Sequence, residues 1–214
     1  EVCFVAAPIP QYFTTLAEQL PANQHAVLLL VAPHSEAGMR DMVAQHGGQV
    51  TYRKTADEVA SSHKTLLEYT WNHTTLHALK VDKGLTYIQS GFNPMHRLKQ
   101  VKALEAALKG EVMMHLEFLR TKEGAFNCSG LQMIRYTPEE RLNQIMQIYR
   151  DHGVQINNPH VYIVEDGKQN NLDPAVVGMK RRFDPQGLLN PGKLRSWYSA
   201  GQSAPIAAPA RQTA

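Results

Sequence analysis

Two strand-like segments joined by a short glycine-containing turn constrain the fold of this chain more than any other feature. Residues 111–120, EVMMHLEFLR, alternate in polarity, and residues 126–136 can return after Gly124 as an antiparallel partner. Apolar side chains at alternate positions are predicted to share one face of the first strand: Val112, Met114, Leu116 and Phe118. The pair therefore predicts a sheet with a buried face against which helices pack.

Helical and strand patterns alternate through the rest of the 214 residues. Strands are also predicted for short segments rich in apolar residues: 1–9, 26–32, 49–53 and 85–92. Helices are predicted where apolar side chains recur at helical spacing: Ser35 to Gly47, 56–80, Asn93 to Gly110, Thr137 to Gly153, and 173–183. This order predicts an α+β fold, with a ferredoxin-like antiparallel sheet and helices on one face, followed by a short C-terminal helix and loop.

Two of the helices are defined best, by their apolar stripes. The stripe of the first is predicted to contain Leu98, Val101, Leu104 and Leu108. The stripe of the second is predicted to contain Leu142, Ile145, Met146 and Tyr149. The sequence at 137–140, Thr-Pro-Glu-Glu, predicts a capping box for the second helix, and Ser35 is the predicted N-cap of an earlier one.

The composition excludes several classes of protein. No apolar run approaches the length that crosses a bilayer, and scattered Lys and Arg with a net charge of only +3 argue against a nucleic-acid partner. Cys3 and Cys128 lie far apart, so a reducing, cytoplasmic setting is expected. Residues 1–197 are predicted to form one domain, whereas residues 198–214, rich in Ala, Pro, Ser, Gly and Gln, are predicted to be disordered.

A rigid stretch, FDPQGLLNPGKL, follows the last predicted helix at residues 183–194. It resembles the C-terminal signature of the FAD-linked oxidases and dehydrogenases, the group with D-lactate dehydrogenase, the glycolate oxidase flavin subunit and the vanillyl-alcohol oxidase type. The matching positions are Phe183, Asp184, Pro185, Gly187, Leu189, Asn190, Pro191, Gly192 and Lys193. The order of elements upstream is also similar, so the resemblance spans about residues 26–194.

The resemblance implies that residues 1–197 are the substrate or cap domain of an FAD-dependent oxidoreductase. In such enzymes a separate N-terminal domain binds FAD through Gly-rich loops. No such loop is present in this sequence, because Gly47-Gly48 ends a predicted helix and does not open one. The first predicted strand begins at Glu1, so we expect the chain to be the C-terminal part of a longer protein, whose flavin-binding domain is its partner.

The activity implied for the parent enzyme is oxidation of a hydroxylated small molecule, a 2-hydroxy acid or an alcohol, by hydride transfer to FAD. This part of the chain alone is expected to be inactive and to bind FAD poorly. The sequence departs from the D-lactate and glycolate branch, which has His-Ala-Gly-Asp-Gly-Asn where residues 122–130 read KEGAFNCSG. The branch also has Gly-Glu-His-Gly where only His160 is retained, so a divergent branch without a bound metal is predicted.

Candidate catalytic and substrate-binding residues lie in EYTWNHTTLHALK, at residues 68–80. Tyr69, Trp71, Asn72 and His73 are predicted to form a pocket wall, with His73 catalytic. His73 and His77 are four residues apart, which is a spacing that suits a metal pair, but packing of the helix against a neighbour is the simpler interpretation. His160 is the second catalytic candidate, because a loop imidazole can take a proton from a substrate hydroxyl.

The family position of the remaining candidates implies contact with the flavin or the substrate. Asn190, Pro191 and Gly192 are predicted to lie against the flavin, although a plain turn that ends the last helix is the alternative. Asn127 and Arg135 are predicted to bind substrate from the second strand of the pair.

A stand-alone ferredoxin-like module without redox activity is the alternative function. Such a module would bind a small ligand or pair edge to edge into a homodimer. It would leave the Asn-Pro-Gly loop at 190–192 unexplained.

Overall fold

A computed structural model describes residues 2–62, 65–70, 72–167 and 172–198. The contacts divide the chain into two compact units, Glu1–Ile156 and Asn157–Ala214. Trp71, the side chain of Asn72 and residues 199–214 of the predicted disordered tail lie outside the described residues. Within the described part of the chain, no helix is long and apolar enough to cross a membrane.

An antiparallel sheet of seven strands organises the described part of the first unit, and its fold is α+β as predicted. The strands are β1 Val2–Val5, β2 Ala26–Leu29, β3 Leu85–Phe92, β4 Val112–Met113, β5 His115–Arg120, β6 Phe126–Arg135 and β7 Gln155–Asn157. Their order is β2-β1-β5-β6-β3-β7, and β4 pairs with β6. The sheet thus has more strands than a minimal ferredoxin-like domain, and its centre is the predicted hairpin of β5 and β6.

Helices of very different length connect and follow the strands. The α-helices are α1 Thr14–Ala17, α2 Glu36–Gln45, α3 Ala56–Ser62, α4 Asn72–Val81, α5 Arg97–Ala107, α6 Glu139–Asp151, α7 Val164–Gly167, α8 Pro174–Phe183 and α9 Arg195–Tyr198. Short 3₁₀ helices occupy Ile9–Tyr12, Pro33–Ser35 and Leu66–Tyr69.

The largest apolar cluster lies between α5, α6 and one face of the sheet. Met114 and Leu116 of β5 belong to it, with Val112 and Phe118 packed against it, so the predicted alternation along residues 111–120 is confirmed. From α6 the buried residues are Leu142, Ile145, Met146 and Tyr149, which confirms the predicted stripe. Burial of these side chains is the main stabilising contribution to this layer.

A second apolar cluster covers the opposite face of the sheet. Its buried residues include Cys3 and Val5 of β1, Met133 of β6 and Ala78 of α4, together with Phe13 beside the first 3₁₀ helix. The prediction of helices on one face is therefore incomplete, because α4 and the segment at 9–17 pack on the second face.

Several local predictions were wrong, each for a tertiary reason. Residues 49–53 form no strand, because the segment pairs with no strand in the described part of the chain; its Arg53 instead forms an ion pair with Glu36 of α2 at 2.7 Å. The predicted helix at 56–80 is divided into α3, a 3₁₀ turn and α4. Leu98 is not part of the buried stripe of α5, since it is 66% exposed.

One predicted helix cap is confirmed in position and the other is wrong. Ser35 is the N-cap residue of α2, although its side chain makes no cap hydrogen bond. The predicted box at 137–140 does not form, because α6 begins one residue late, with Pro138 as its N-cap. A capping box forms instead at α3, where the Thr55 amide donates to Glu58 Oε2 at 2.6 Å. The Glu58 amide returns a hydrogen bond to Thr55 Oγ1 at 3.2 Å.

Candidate functional site

The loop that follows α8 is held in place by the carboxylate of Asp184. Its Oδ1 accepts a hydrogen bond from the Leu188 amide at 2.8 Å, and its Oδ2 accepts one from the Leu189 amide at 2.9 Å. Lys180 Nζ donates to Oδ2 at 2.6 Å and to the Leu189 carbonyl at 2.7 Å. One buried side chain therefore fixes the loop backbone at two consecutive residues.

Glu165 of α7 is a second carboxylate that accepts hydrogen bonds from backbone amides of the second unit. The Ser196 amide and hydroxyl both donate to Glu165 Oε1 at 2.8 Å, and the Arg195 amide donates to Oε2 at 3.1 Å. This carboxylate ties α7 to the start of α9 and so closes the loop at its far end. Burial opposes ionisation of Glu165, but the hydrogen bonds, with that from the Ser196 amide foremost, lower its pKa.

Electrostatics favour the ionised form of Asp184 as well. The hydrogen bond from Lys180 lowers the pKa of Asp184 most, burial opposes it, and the Leu189 and Leu188 amides lower the pKa further. The carboxylate that the loop requires is thus the stable form at neutral pH.

The backbone of the loop adopts conformations that few residues tolerate. Among the described residues, Asn190 is the only residue other than glycine with a positive φ, at 47°. Gly187 has a φ of 67°, and a Cβ atom there would lie 2.9 Å from Trp197 Nε1. The Gly192 amide donates to the Tyr198 hydroxyl at 2.8 Å. The turn is therefore specified by its sequence and anchored on both sides.

The side chains that this loop carries are apolar and face outward. Leu188 is 71% exposed and Leu189 is 63% exposed, and Phe183 at the end of α8 is similarly exposed. Val176 and Met179 add exposed apolar side chains at i and i+3 on the same helix. We call Phe183, Leu188 and Leu189 the C-terminal apolar surface. A rigid backbone with uncovered leucines is typical of a binding surface.

The loop that carries His160 lies beside the loop of Asn190. Lys193 Nζ sits 3.6 Å from the ring centroid of Tyr162, and the Val164 amide donates to the Lys193 carbonyl at 2.9 Å. His160 is exposed, and its amide donates to Asn158 Oδ1 at 3.0 Å. The structure thus brings together two loops that the sequence separates by about thirty residues.

Of the predicted pocket wall in the first unit, Tyr69 lies in an aromatic cluster with Phe13 and His77. The ring of Tyr69 lies 4.8 Å from that of Phe13 and 5.6 Å from that of His77, and its hydroxyl donates to Thr15 Oγ1 at 3.0 Å. Burial, followed by the charge of Lys80, lowers the pKa of His77. Tyr69 and His77 are therefore packed side chains, whereas His73 of the same helix is exposed.

The two substrate candidates on β6 lie far apart. Asn127 and Arg135 share a face of the strand but are separated by eight residues, or about 26 Å. Arg135 forms an exposed ion pair with Asp82 at 3.3 Å. One small substrate cannot contact both. Cys128, between them, is buried, and burial raises the pKa of its thiol to about 11.

A polar cluster that could not be identified from the sequence lies on one buried face of the sheet. Cys3 Sγ is 3.1 Å from His115 Nε2, which is 2.8 Å from Glu117 Oε1. The three residues are 0%, 0% and 1% exposed. The signal in the sequence was the alternation of His115 and Glu117 with the apolar residues of β5, but the partner strand that supplies Cys3 is more than a hundred residues away.

Comparisons with known proteins add nothing to these observations, since no family model and no curated protein matches the chain.

Proposed function

We propose that this chain is the substrate-binding part of an FAD-dependent oxidoreductase, which works against a flavin-binding domain outside these 214 residues. The observation that carries the proposal is the C-terminal apolar surface. Asp184 fixes its backbone at Leu188 and Leu189, yet the side chains of these two residues are left uncovered. This combination fits a surface shaped to contact another body, and the resemblance at residues 183–194 indicates which body that is.

The residues at the turn fit a flavin ring as a neighbour. Asn190 and Pro191 are exposed, and Gly192 has no side chain to obstruct a close approach. Their backbone is held by Asp184 and by Tyr198, so little ordering is needed on contact. FAD, when bound, accepts a hydride from the substrate. Asn190, Pro191 and Gly192 would hold its ring edge in place and exclude water from it.

His160 is the group proposed to take the substrate proton. Its loop packs against Lys193, three residues from Asn190, so an exposed imidazole lies near the proposed flavin contact. A neutral imidazole can accept a proton from a hydroxyl group as that group is oxidised. The substrate class proposed is a small hydroxylated molecule, either a 2-hydroxy acid or an alcohol.

Absorption spectroscopy of the polypeptide that contains both this chain and its flavin-binding domain tests the proposal. We expect a yellow protein whose flavin band bleaches anaerobically when the right member of a panel of 2-hydroxy acids and alcohols is added. A colourless polypeptide, or one whose flavin no member of the panel reduces, would contradict the proposal.

Variants of the same polypeptide separate the proposed roles. His160→Gln should slow flavin reduction by about 10²–10⁴-fold, whereas His34→Gln, at an exposed histidine elsewhere, should not change the rate. The double variant Leu188→Asp, Leu189→Asp should weaken assembly with the flavin-binding domain. The matched control is Leu98→Asp, which changes a leucine of similar exposure on α5.

A stand-alone module that pairs through a sheet edge is the second candidate. Strand β2 lies at the end of the sheet order, and Val27 and Leu30 are exposed there. Light scattering of the 214-residue chain tests it. A dimer that Val27→Lys converts to a monomer would favour this candidate, and a monomer at all concentrations would contradict it.

A further inference from the structure

We propose that Cys3, His115 and Glu117 form a binding site for one zinc ion inside the first unit. The three residues are the one group of three or more potential metal ligands that the described residues bring together. A ligand atom of each lies within 4.8 Å of the others. The site shares no residue with the C-terminal apolar surface and does not depend on the proposed function.

Strand pairing explains how the sequence assembles this cluster. Cys3 of β1 lies directly opposite Glu117 of β5, and His115 precedes Glu117 by two residues. Because side chains alternate along a strand, all three leave the same face of the sheet. That face carries the second apolar cluster, which includes Cys3, Val5 and Met133.

The ligand atoms of the three side chains favour zinc over calcium or magnesium. A thiolate, an imidazole and a carboxylate are all common ligands of Zn²⁺, whereas Ca²⁺ and Mg²⁺ prefer sites made of oxygen atoms alone. The surroundings favour a cation as well. The ionised ligands, a carboxylate and a thiolate, are costly inside an apolar core unless a positive charge neutralises them, and a zinc ion supplies that charge.

The imidazole of His115 is shared between the other two candidate ligands. Its Nε2 contacts both Cys3 Sγ and Glu117 Oε1, so one ring nitrogen faces both of the other ligand atoms. A metal ion among the three side chains would replace these two contacts with a bond to Nε2.

Binding requires a small rearrangement and the loss of a proton. Ligand atoms around a tetrahedral zinc ion are about 3.3–3.6 Å apart, whereas the two contacts in this cluster measure 3.1 Å and 2.8 Å. The side chains therefore have to separate by less than about 1 Å. Zinc replaces the thiol proton of Cys3, which is released to solvent, so affinity should fall as the pH is lowered.

Cobalt titration of the metal-free 214-residue chain tests the site, because Co²⁺ bound to a thiolate gives a charge-transfer absorption in the near ultraviolet. The chain is both titrated when folded and refolded with Co²⁺, since a buried site can load slowly. We expect one Co²⁺ per chain, displaced by Zn²⁺.

Two cysteine variants identify the ligand. Cys3→Ser should abolish the absorption band, and Cys128→Ser, at the other buried cysteine, should retain it. Absence of the band from the wild-type chain refolded with Co²⁺ would overturn the proposal.

Two further measurements keep the test decisive if Cys3→Ser fails to fold. Glu117→Gln should lower the affinity for Co²⁺ by at least about tenfold. Zn²⁺ at about 100 times Kd should raise the Tm of the wild-type chain by roughly 5–10 °C. A band that disappears in Cys128→Ser, or an affinity that is unchanged in Glu117→Gln, would also overturn this ligand set.

Discussion

The two compact units of this chain are stabilised in different ways. In the first unit, a sheet packs apolar side chains on both of its faces, and the described residues include 26 buried ones in the two clusters, 15 in one and 11 in the other. In the second unit, short helices and loops are tied together by two carboxylates, Asp184 and Glu165, which bind backbone amides. The first unit is therefore stabilised mainly by the burial of apolar surface, whereas the loop backbone of the second unit is fixed mainly by hydrogen bonds.

This difference shows how a loop-rich unit can present apolar residues without collapsing around them. The Leu188 and Leu189 amides donate hydrogen bonds to Asp184, so these two residues need not be buried to be ordered. In the first unit, by contrast, residues such as Leu104 are ordered because they are buried.

The largest expected effect comes from opening a cavity in the first unit. Leu104 of α5 is fully buried, so Leu104→Ala should lower the free energy of unfolding by about 2–5 kcal/mol. Leu98→Ala, on the same helix but exposed, should change it by less than about 0.5 kcal/mol. Urea unfolding of both variants measures the difference, and equal losses would mean that α5 does not pack on the sheet through Leu104.

Removal of a carboxylate from the second unit should loosen one loop and leave the sheet intact. In Asp184→Ala, the amides of Leu188 and Leu189 lose their acceptors and should exchange hydrogen about 10–100-fold faster. Asp166→Ala is the matched control, because the Asp166 side chain makes an exposed ion pair with Arg195 in the same unit. Unchanged hydrogen exchange in Asp184→Ala would show that Asp184 does not hold the loop in place.

Lowering the pH should loosen the same loop progressively, because protonation of Asp184 weakens the hydrogen bonds that its carboxylate accepts. Because the pKa of Asp184 is lowered in the folded state, its stabilisation is complete above the ordinary value of 3.8 and is lost as the pH falls through the lowered pKa. The amide shifts of Leu188 and Leu189 should therefore titrate only below pH 3.8. Asp184→Asn should remove this titration, and a midpoint above pH 3.8 would show that the pKa of Asp184 is raised instead.

The smallest effect is expected at the surface of the first unit. Arg135→Ala breaks an exposed ion pair with Asp82 and should cost no more than about 1 kcal/mol. The same variant separates structure from binding, because loss of a substrate-contacting Arg135 would raise the KM of the proposed enzyme by more than so small a change in stability explains. A loss of stability well above this value would show that the ion pair between Arg135 and Asp82 is buried and not exposed.

Much of the fold could be predicted because the periodicity is local. The strand at 85–92, the stripe of α6 and the last long helix all follow from spacing and from Gly or Pro at their ends. The failures were decided by distant contacts. Residues 49–53 find no partner strand in the described part of the chain, and no described residue covers Leu98, which is 66% exposed.

The candidate sites were predictable to different degrees. The turn at 190–192 could be recognised because Asn, Pro and Gly restrict or permit particular backbone angles. The cluster of Cys3, His115 and Glu117 could not, because it depends on the register between the first strand and β5. The separation of Asn127 from Arg135 is visible only once both lie on one straight strand.

The central claim is the proposal that a flavin-binding domain covers the C-terminal apolar surface, and hydroxyl-radical footprinting of the polypeptide that would carry both this chain and that domain tests it most directly. If the C-terminal apolar surface is covered by that domain, Phe183, Leu188 and Leu189 should be protected, while Leu98 should be oxidised as readily as in the 214-residue chain alone. Equal oxidation of Leu188, Leu189 and Leu98 in the assembled polypeptide would contradict the account.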